Sequence, residues 1–174
     1  EWKVLEAYKS MGVNLTPVTF PDSAIYPFDI MSLVIGAESA AAFDELTRNN
    51  RDTLIERQDK GFWPNIFRTA RLIPAVEYIN ANRYRSELNR KLQAFMKDYD
   101  VVIVPTFAGS QMAITNLTGN PALCMPIGFG RSGSPLSITL LGNLYDEASI
   151  ITAAKAYQDN TEHNKKRPPL FAAQ

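Results

Sequence analysis

Few side chains in this 174-residue sequence combine type and spacing suited to chemistry. Gly128-Phe129-Gly130-Arg131-Ser132-Gly133 has the GxGxxG spacing of a dinucleotide loop and follows an apolar run. Such a loop works only where a helix starts behind it and turns its amide groups toward a pyrophosphate. Here Ser134-Pro135 and an alternating pattern come next, so the six residues read as a strand-to-strand turn. Cys124 and His163, the one cysteine and the one histidine, would form a thiol dyad if they met. Cys124 falls inside an apolar strand pattern, where a thiolate is poorly solvated, and His163 falls in a polar tail. The reading is a buried structural thiol. Gly130-Arg131-Ser132-Gly133-Ser134 lacks the last glycine of a nucleophile elbow. Asn116-Leu117-Thr118 has the form of a glycosylation sequon, but its apolar flanks predict an inaccessible site. Glu38 lies one heptad after Met31, beside an apolar stripe. It is either a solvated flank or a carboxylate that needs a cationic or hydrogen-bonding partner. Arg83, Arg85, Arg90 and Lys91 alternate with Glu87 and lack interleaved aromatics, which describes a solvated helix face.

The residues alone thus offer no complete catalytic set. Composition narrows the classes further. Eighteen basic and 18 acidic side chains give zero net charge, which argues against a dedicated nucleic-acid binder. One Cys and one His exclude an internal disulfide framework and an all-Cys/His zinc site, and no cofactor is implied. No apolar run approaches the ~18 residues of a membrane helix. A single free Cys fits the cytoplasm.

The elements that must position any site follow from periodicity. Val4, Leu5, Tyr8 and Met11 are spaced as on a helix that stops at Gly12. Val13–Phe20 reads as a short strand, placed at a sheet edge by Pro17. A long helix is predicted from Phe28 to about Leu46, with Ala37, Ser39, Ala40, Ala41 and Ala42 allowing a close neighbour. Residues 48–65 form a polar connector. Asn65 is the expected cap of a short helix through Leu72, and Pro74 suits the first turn of a longer one running to about Lys97. Tyr84, Leu88, Leu92, Phe95 and Tyr99 make its apolar stripe.

From Val101 to Tyr145 the one charged side chain is Arg131. So long an uncharged stretch reads as the buried centre of an α/β sheet. Val101–Val104 has the doubly apolar pattern of a buried parallel strand. Ala122–Ile127 is a second strand, and Leu136–Leu141 alternates as a third. Asp146-Glu147 suits the N-terminus of a last helix through Tyr157, with Ala148, Ile151, Ala154 and Ala156 as its small-residue face. Sites in open α/β sheets favour the loops after strand C-terminal ends, here Pro105–Gln111 and the turn from Asn116 to Pro121.

Several motifs in fixed order carry a resemblance. Tyr99-Asp100-Val101-Val102-Ile103-Val104-Pro105-Thr106, Asn116-Leu117-Thr118-Gly119-Asn120-Pro121-Ala122, Pro126-Ile127-Gly128-Phe129, Gly133-Ser134-Pro135-Leu136, Leu141-Gly142 and Asp146-Glu147-Ala148 resemble the C-terminal part of the amidase signature family. Glu77–Arg85 and the tail His163–Pro169 are similar too. The resemblance implies an α/β class: the C-terminal portion of a single amidase signature domain, an α/β/α fold whose mixed central sheet is flanked by helices. It implies hydrolysis of a non-peptide carboxamide C–N bond by a Ser-cisSer-Lys triad that lies upstream of this chain, so no catalytic residue is assigned here. The chain opens inside a helix pattern with no start Met, and reads as cut from something longer.

In such an enzyme this part supplies sheet core and one wall of the substrate pocket. By position the expected wall is Phe107, Gln111, Ile114, Asn116 and Thr118. The implied partners are a small-molecule amide substrate and the missing N-terminal half of the same protein, with no nucleic acid and no membrane. The chain alone is expected to be inactive, to expose apolar surface and to self-associate as a homo-oligomer. Only nine residues separate Thr106 from Asn116, where many relatives carry a longer insertion. The alternatives are the A subunit of an aminoacyl-tRNA amidotransferase and a non-catalytic binding module.

Overall fold

The computed structural model describes residues 2–20, 29–107 and 109–168. The chain divides into two compact units, one formed by Glu1–Asp22 with Lys91–Gln174 and the other by Ser23–Arg90.

The first unit is built on a three-stranded sheet. β1 (Val101–Pro105), β2 (Ala122–Phe129) and β3 (Pro135–Gly142) lie in the order β1-β3-β2. Both pairings are antiparallel, with Val104 and Cys124 each opposite Thr139. The doubly apolar pattern of β1 therefore reports two covered faces rather than strand direction. Met125, Ile138 and Leu140 share one face, and the helices α1 (Trp2–Ser10) and α7 (Glu147–Thr161) lie on it. Val4 and Tyr8 from α1 meet Ile150, Ala154 and Tyr157 from α7 in this core. The larger aliphatic side chains among them, Val4 and Ile150, each contribute roughly 1.5–3 kcal/mol relative to exposure. Val102, Val104, Thr139 and Leu141 point to the other face and are also buried.

Local chemistry sets the ends of these elements. Gly12 adopts φ +81° after α1, which lets the Val13 amide return to the Tyr8 carbonyl at 3.1 Å. The following Val13–Phe20 segment is irregular rather than the expected strand; Pro17 removes a ladder donor there. Asp146 caps α7 by accepting the Ser149 amide at 3.3 Å, and its other oxygen accepts the Ser149 hydroxyl at 2.7 Å. The buried stripe of α7 is Ile150, Ala154 and Tyr157, while the expected Ala148, Ile151 and Ala156 face solvent. Two large side chains at spacing seven outweigh the small ones as the apolar face.

In the second unit, α2 (Asp29–Ala42) ends before Phe43, and a separate short α3 (Asp44–Arg48) follows. The expected continuous helix to Leu46 is thus broken. Asp44 starts α3 and pairs with Arg48 and Arg71, placing acid at a helix N-terminus. These ion partners hold its carboxyl below the usual range. Residues 51–54 make one 3-10 turn, followed by α4 (Trp63–Ala70). Pro64 occupies the first turn of α4, and no side chain caps it, so Asn65 is inside the helix rather than its cap. Gly36 of α2 faces Ala70 and Ile66 of α4, the close approach that the small residues predict.

The long α5 (Ala75–Met96) follows Pro74 and carries the boundary between the units. Its buried positions are Ala81, Leu88, Leu92 and Met96; Tyr84 is exposed, and Phe95 and Tyr99 are half-buried. Among the described residues, no helix is long and apolar enough to cross a membrane.

Candidate functional site

β1 delivers the chain to Thr106 and Phe107, beyond which α6 (Gln111–Thr118) begins. The sequence predicts a loop here and a turn from Asn116. The structure has a two-turn helix instead, closed by Gly119 at φ +81°. Ile114, Leu117 and Thr118 form its buried side, a spacing that a segment this short leaves hard to read.

Polar side chains converge on the end of β1. Thr139 Oγ1 donates to Thr106 Oγ1 at 3.1 Å. Thr106 Oγ1 and Cys124 Sγ lie 3.7 Å apart. Gln111 Nε2 donates to the Thr106 carbonyl at 3.2 Å, while Gln111 Oε1 is buried without a hydrogen-bond partner. Antiparallel register explains the cluster, because Val104, Thr139 and Cys124 occupy one row across the sheet. The set is made of two hydroxyls, a thiol and a carboxamide. It can bind and orient an uncharged polar group.

The five expected wall residues divide. Phe107 is 86% exposed. Asn116 is exposed too, its Nδ2 donating to the Met112 carbonyl at 2.8 Å. Gln111 is only 5% exposed, and Ile114 and Thr118 are likewise buried. Thr118 Oγ1 is satisfied by the Ile114 carbonyl at 3.0 Å. Ile114 and Thr118 thus hold α6 in place, whereas Phe107 and Asn116 face outward. Met112, half-exposed and one turn before Asn116, shares that outward side.

Met112 and Thr139 are not among the residues the sequence singles out, and Cys124 is there read as a structural thiol. Cys124 is exposed, not a buried thiol. Asn116 of the sequon is also accessible, although Thr118 is not. His163 stacks on Tyr157 and lies against Gly128. The GxGxxG segment is a hairpin turn, closed by the Gly130 amide on the Ser134 carbonyl at 2.8 Å. Within the second unit, a groove of about 430 Å³ runs over Ala37, Ala40, Ala41 and Ala70. Glu38 at its rim is exposed, with the Tyr78 hydroxyl at 3.1 Å and Arg85 at 3.9 Å.

No family model matches the chain. By sequence it is 26% identical to the A subunit of the glutamyl-tRNA(Gln) amidotransferase of Oceanobacillus iheyensis, with 98% of this chain and 43% of that protein covered. It is 28% identical to the putative amidase AmiD of Mycobacterium bovis over 56% of this chain and 25% of that protein. By fold it matches the peptide amidase of Stenotrophomonas maltophilia with a TM-score of 0.73 and 20% identity, covering 99% of this chain and 41% of that one. The chain thus spans about two fifths of the length of the amidotransferase protein and of the peptide amidase. Relatives and fold agree with the motifs from Tyr99 to Ala148: the chain is similar in sequence to amidases and amidotransferase A subunits, and it has the fold of an amidase.

Proposed function

We propose that this chain forms the sheet core and one pocket wall of a hydrolase that cleaves carboxamide C–N bonds. Its bond-breaking residues, a Ser-cisSer-Lys set, lie outside these 174 residues. In that chemistry a neutral, desolvated Lys takes the proton of the nucleophilic hydroxyl through the bridging Ser. Loop amides then hold the oxyanion. The wall contributed here positions the acyl group. Phe107 and Met112 supply apolar contact, Asn116 supplies a carboxamide, and the Thr106–Thr139–Cys124 group supplies neutral hydrogen-bonding partners behind them.

The observation that carries this reading is the neutral polar cluster at the C-terminal end of β1, in a chain whose relatives include amidases. A second reading, the A subunit of an aminoacyl-tRNA amidotransferase, is favoured by the match to such a protein over 98% of the chain.

The test is ammonia release from simple carboxamides by the complete protein, with Phe107→Ala, Met112→Ala and Asn116→Ala variants. The amidase reading expects activity without ATP or tRNA, and a shifted order of kcat/KM among acyl groups. The isolated chain is expected to release none. Activity that appears only with ATP, tRNA and a partner protein supports the second reading. Unchanged preference in all three variants removes the wall assignment.

A further inference from the structure

We propose that His163 is a proton-sensitive latch holding the segment that follows α7 on the bulge of β2.

The bulge lies between Pro126 and Gly128, where the register with β3 shifts. Gly128 has φ +118°, a conformation that side chains other than glycine rarely adopt. The imidazole rests on the space this glycine leaves: a Cβ there would lie 3.5 Å from His163 Cε1 and 3.7 Å from Nδ1. The other side of the ring meets Tyr157, with centroids 6.1 Å apart and planes 29° apart. Two hydrogen bonds continue the attachment. The Asn164 amide donates to Gln158 Oε1 at 2.9 Å, and Gln158 Nε2 donates to the Pro126 carbonyl at 3.0 Å. One glutamine of α7 thereby ties the segment to the bulge.

The arrangement suits a neutral ring. Nδ1 is buried and has no hydrogen-bond partner. With the proton on Nε2, Nδ1 is an empty acceptor. A second proton would put a charged N–H against Gly128, where nothing accepts it. Among the described residues, the titratable groups nearest the ring are the Tyr157 phenol from α7 and Glu162, Lys165 and Lys166 from its own segment. The β2 residues touching it carry no charge. Glu162 is engaged by Lys165 at 2.5 Å, which leaves Lys166 to repel an imidazolium. Burial first, and Lys166 second, hold the His163 pKa below its ordinary 6.5. At 6.1 Å the Tyr157 ring lies at the limit of cation–π reach and offers an imidazolium little gain.

The neutral segment therefore stays docked, and protonation releases it. By linkage, docking is fully present above the free-histidine pKa and weakens as pH falls below it. The fold-loss in the docking constant equals ten raised to the measured pKa depression.

His163 is the one histidine of the chain, so its NMR titration is unambiguous. The expected result is a midpoint below 6.5, with the protection factor of the Asn164 amide falling as pH drops from 6.5 to that midpoint and levelling below it. His163→Phe keeps a ring on Tyr157 and cannot titrate; Asn164 should then stay protected across the range. A wild-type midpoint at or above 6.5 overturns the proposal. So does an Asn164 protection factor that falls equally in His163→Phe. The wild-type titration decides the matter if that variant does not fold.

Discussion

Asn120 donates its Nδ2 hydrogen to the main-chain carbonyl of Gly142 at 2.9 Å, and both groups are buried. The Gly142 amide in turn donates to the Pro121 carbonyl at 3.0 Å. The turn between α6 and β2 is therefore fixed to the last residue of β3. Asn120→Ala leaves a buried carbonyl unpaired, so a loss of about 1–3 kcal/mol is expected. Urea unfolding at neutral pH measures it; an unchanged midpoint would show that the bond is replaced by water.

Gly142 is needed for space rather than for backbone freedom. A Cβ on it would come within 2.9 Å of Ile150 Cγ2, 3.2 Å of the Asp146 carbonyl and 3.3 Å of Pro121 Cγ. Gly142→Ala should cost about 1–3 kcal/mol through overpacking. Pairing it with Ile150→Val should recover part of the loss in a double-mutant cycle.

Asp52 is 2% exposed, and its carboxylate lies 2.5–2.6 Å from the Arg68 guanidinium. Arg68 also donates to Gln58 Oε1 at 3.1 Å, and Gln58 Nε2 reaches the Asp52 carbonyl at 3.0 Å. This knot closes the 51–58 connector onto α4. The guanidinium still reaches solvent, so the pair is screened more than a fully buried one. Asp52→Ala is expected to cost about 1.5–3 kcal/mol, read from the thermal unfolding midpoint. A shift no larger than that of exposed Glu56→Ala would remove the structural role.

Tyr8 gives the chain an alkaline limit. Its hydroxyl donates to the Ala153 carbonyl at 3.0 Å. Burial, reinforced by nearby Tyr157, raises its pKa to about 12. Burial also raises Tyr157 above its ordinary 10.0. In the unfolded chain both titrate near the ordinary value, so their contribution is complete below pH 10 and is lost as pH rises from 10 toward 12. Stability curves over that range should fall less steeply for Tyr8→Phe. Phenolate absorbance titrating wholly near 10 in folded protein would contradict this.

The outward residues at the end of β1 should separate binding from stability. In the complete protein, Phe107→Ala should alter KM for bulky acyl groups while leaving the unfolding free energy within ~0.5 kcal/mol, as expected at an exposed position. Ile114→Ala should do the reverse, costing about 2–5 kcal/mol. Equal stability losses in both would place Phe107 in the core.

Periodicity read the helices well where an apolar stripe was long. Val4 and Tyr8 in α1 and Leu88 and Leu92 in α5 sit where spacing puts them. It failed in shorter pieces. α6 has two turns, and its buried Gln111, Thr115 and Thr118 are polar, so no hydrophobic period marked it as a helix. In α7 the small residues at one spacing concealed the larger Ile150 and Tyr157 at another. Phe107 and Asn116 were picked from their place after a strand, and both face outward. Thr139 was not, because 33 residues separate it from the Thr106 it touches.

The order of motifs from Tyr99 to Ala148 carried the resemblance to amidases by itself, because those side chains are locally constrained turn, strand and cap residues. Tertiary structure alone decided which of them meet. Antiparallel register aligned Val104, Thr139 and Cys124 in one row, and the β2 bulge made a seat for His163 at Gly128. Register is a cooperative choice between distant segments, and a one-residue slip would have turned Thr139 to the opposite face.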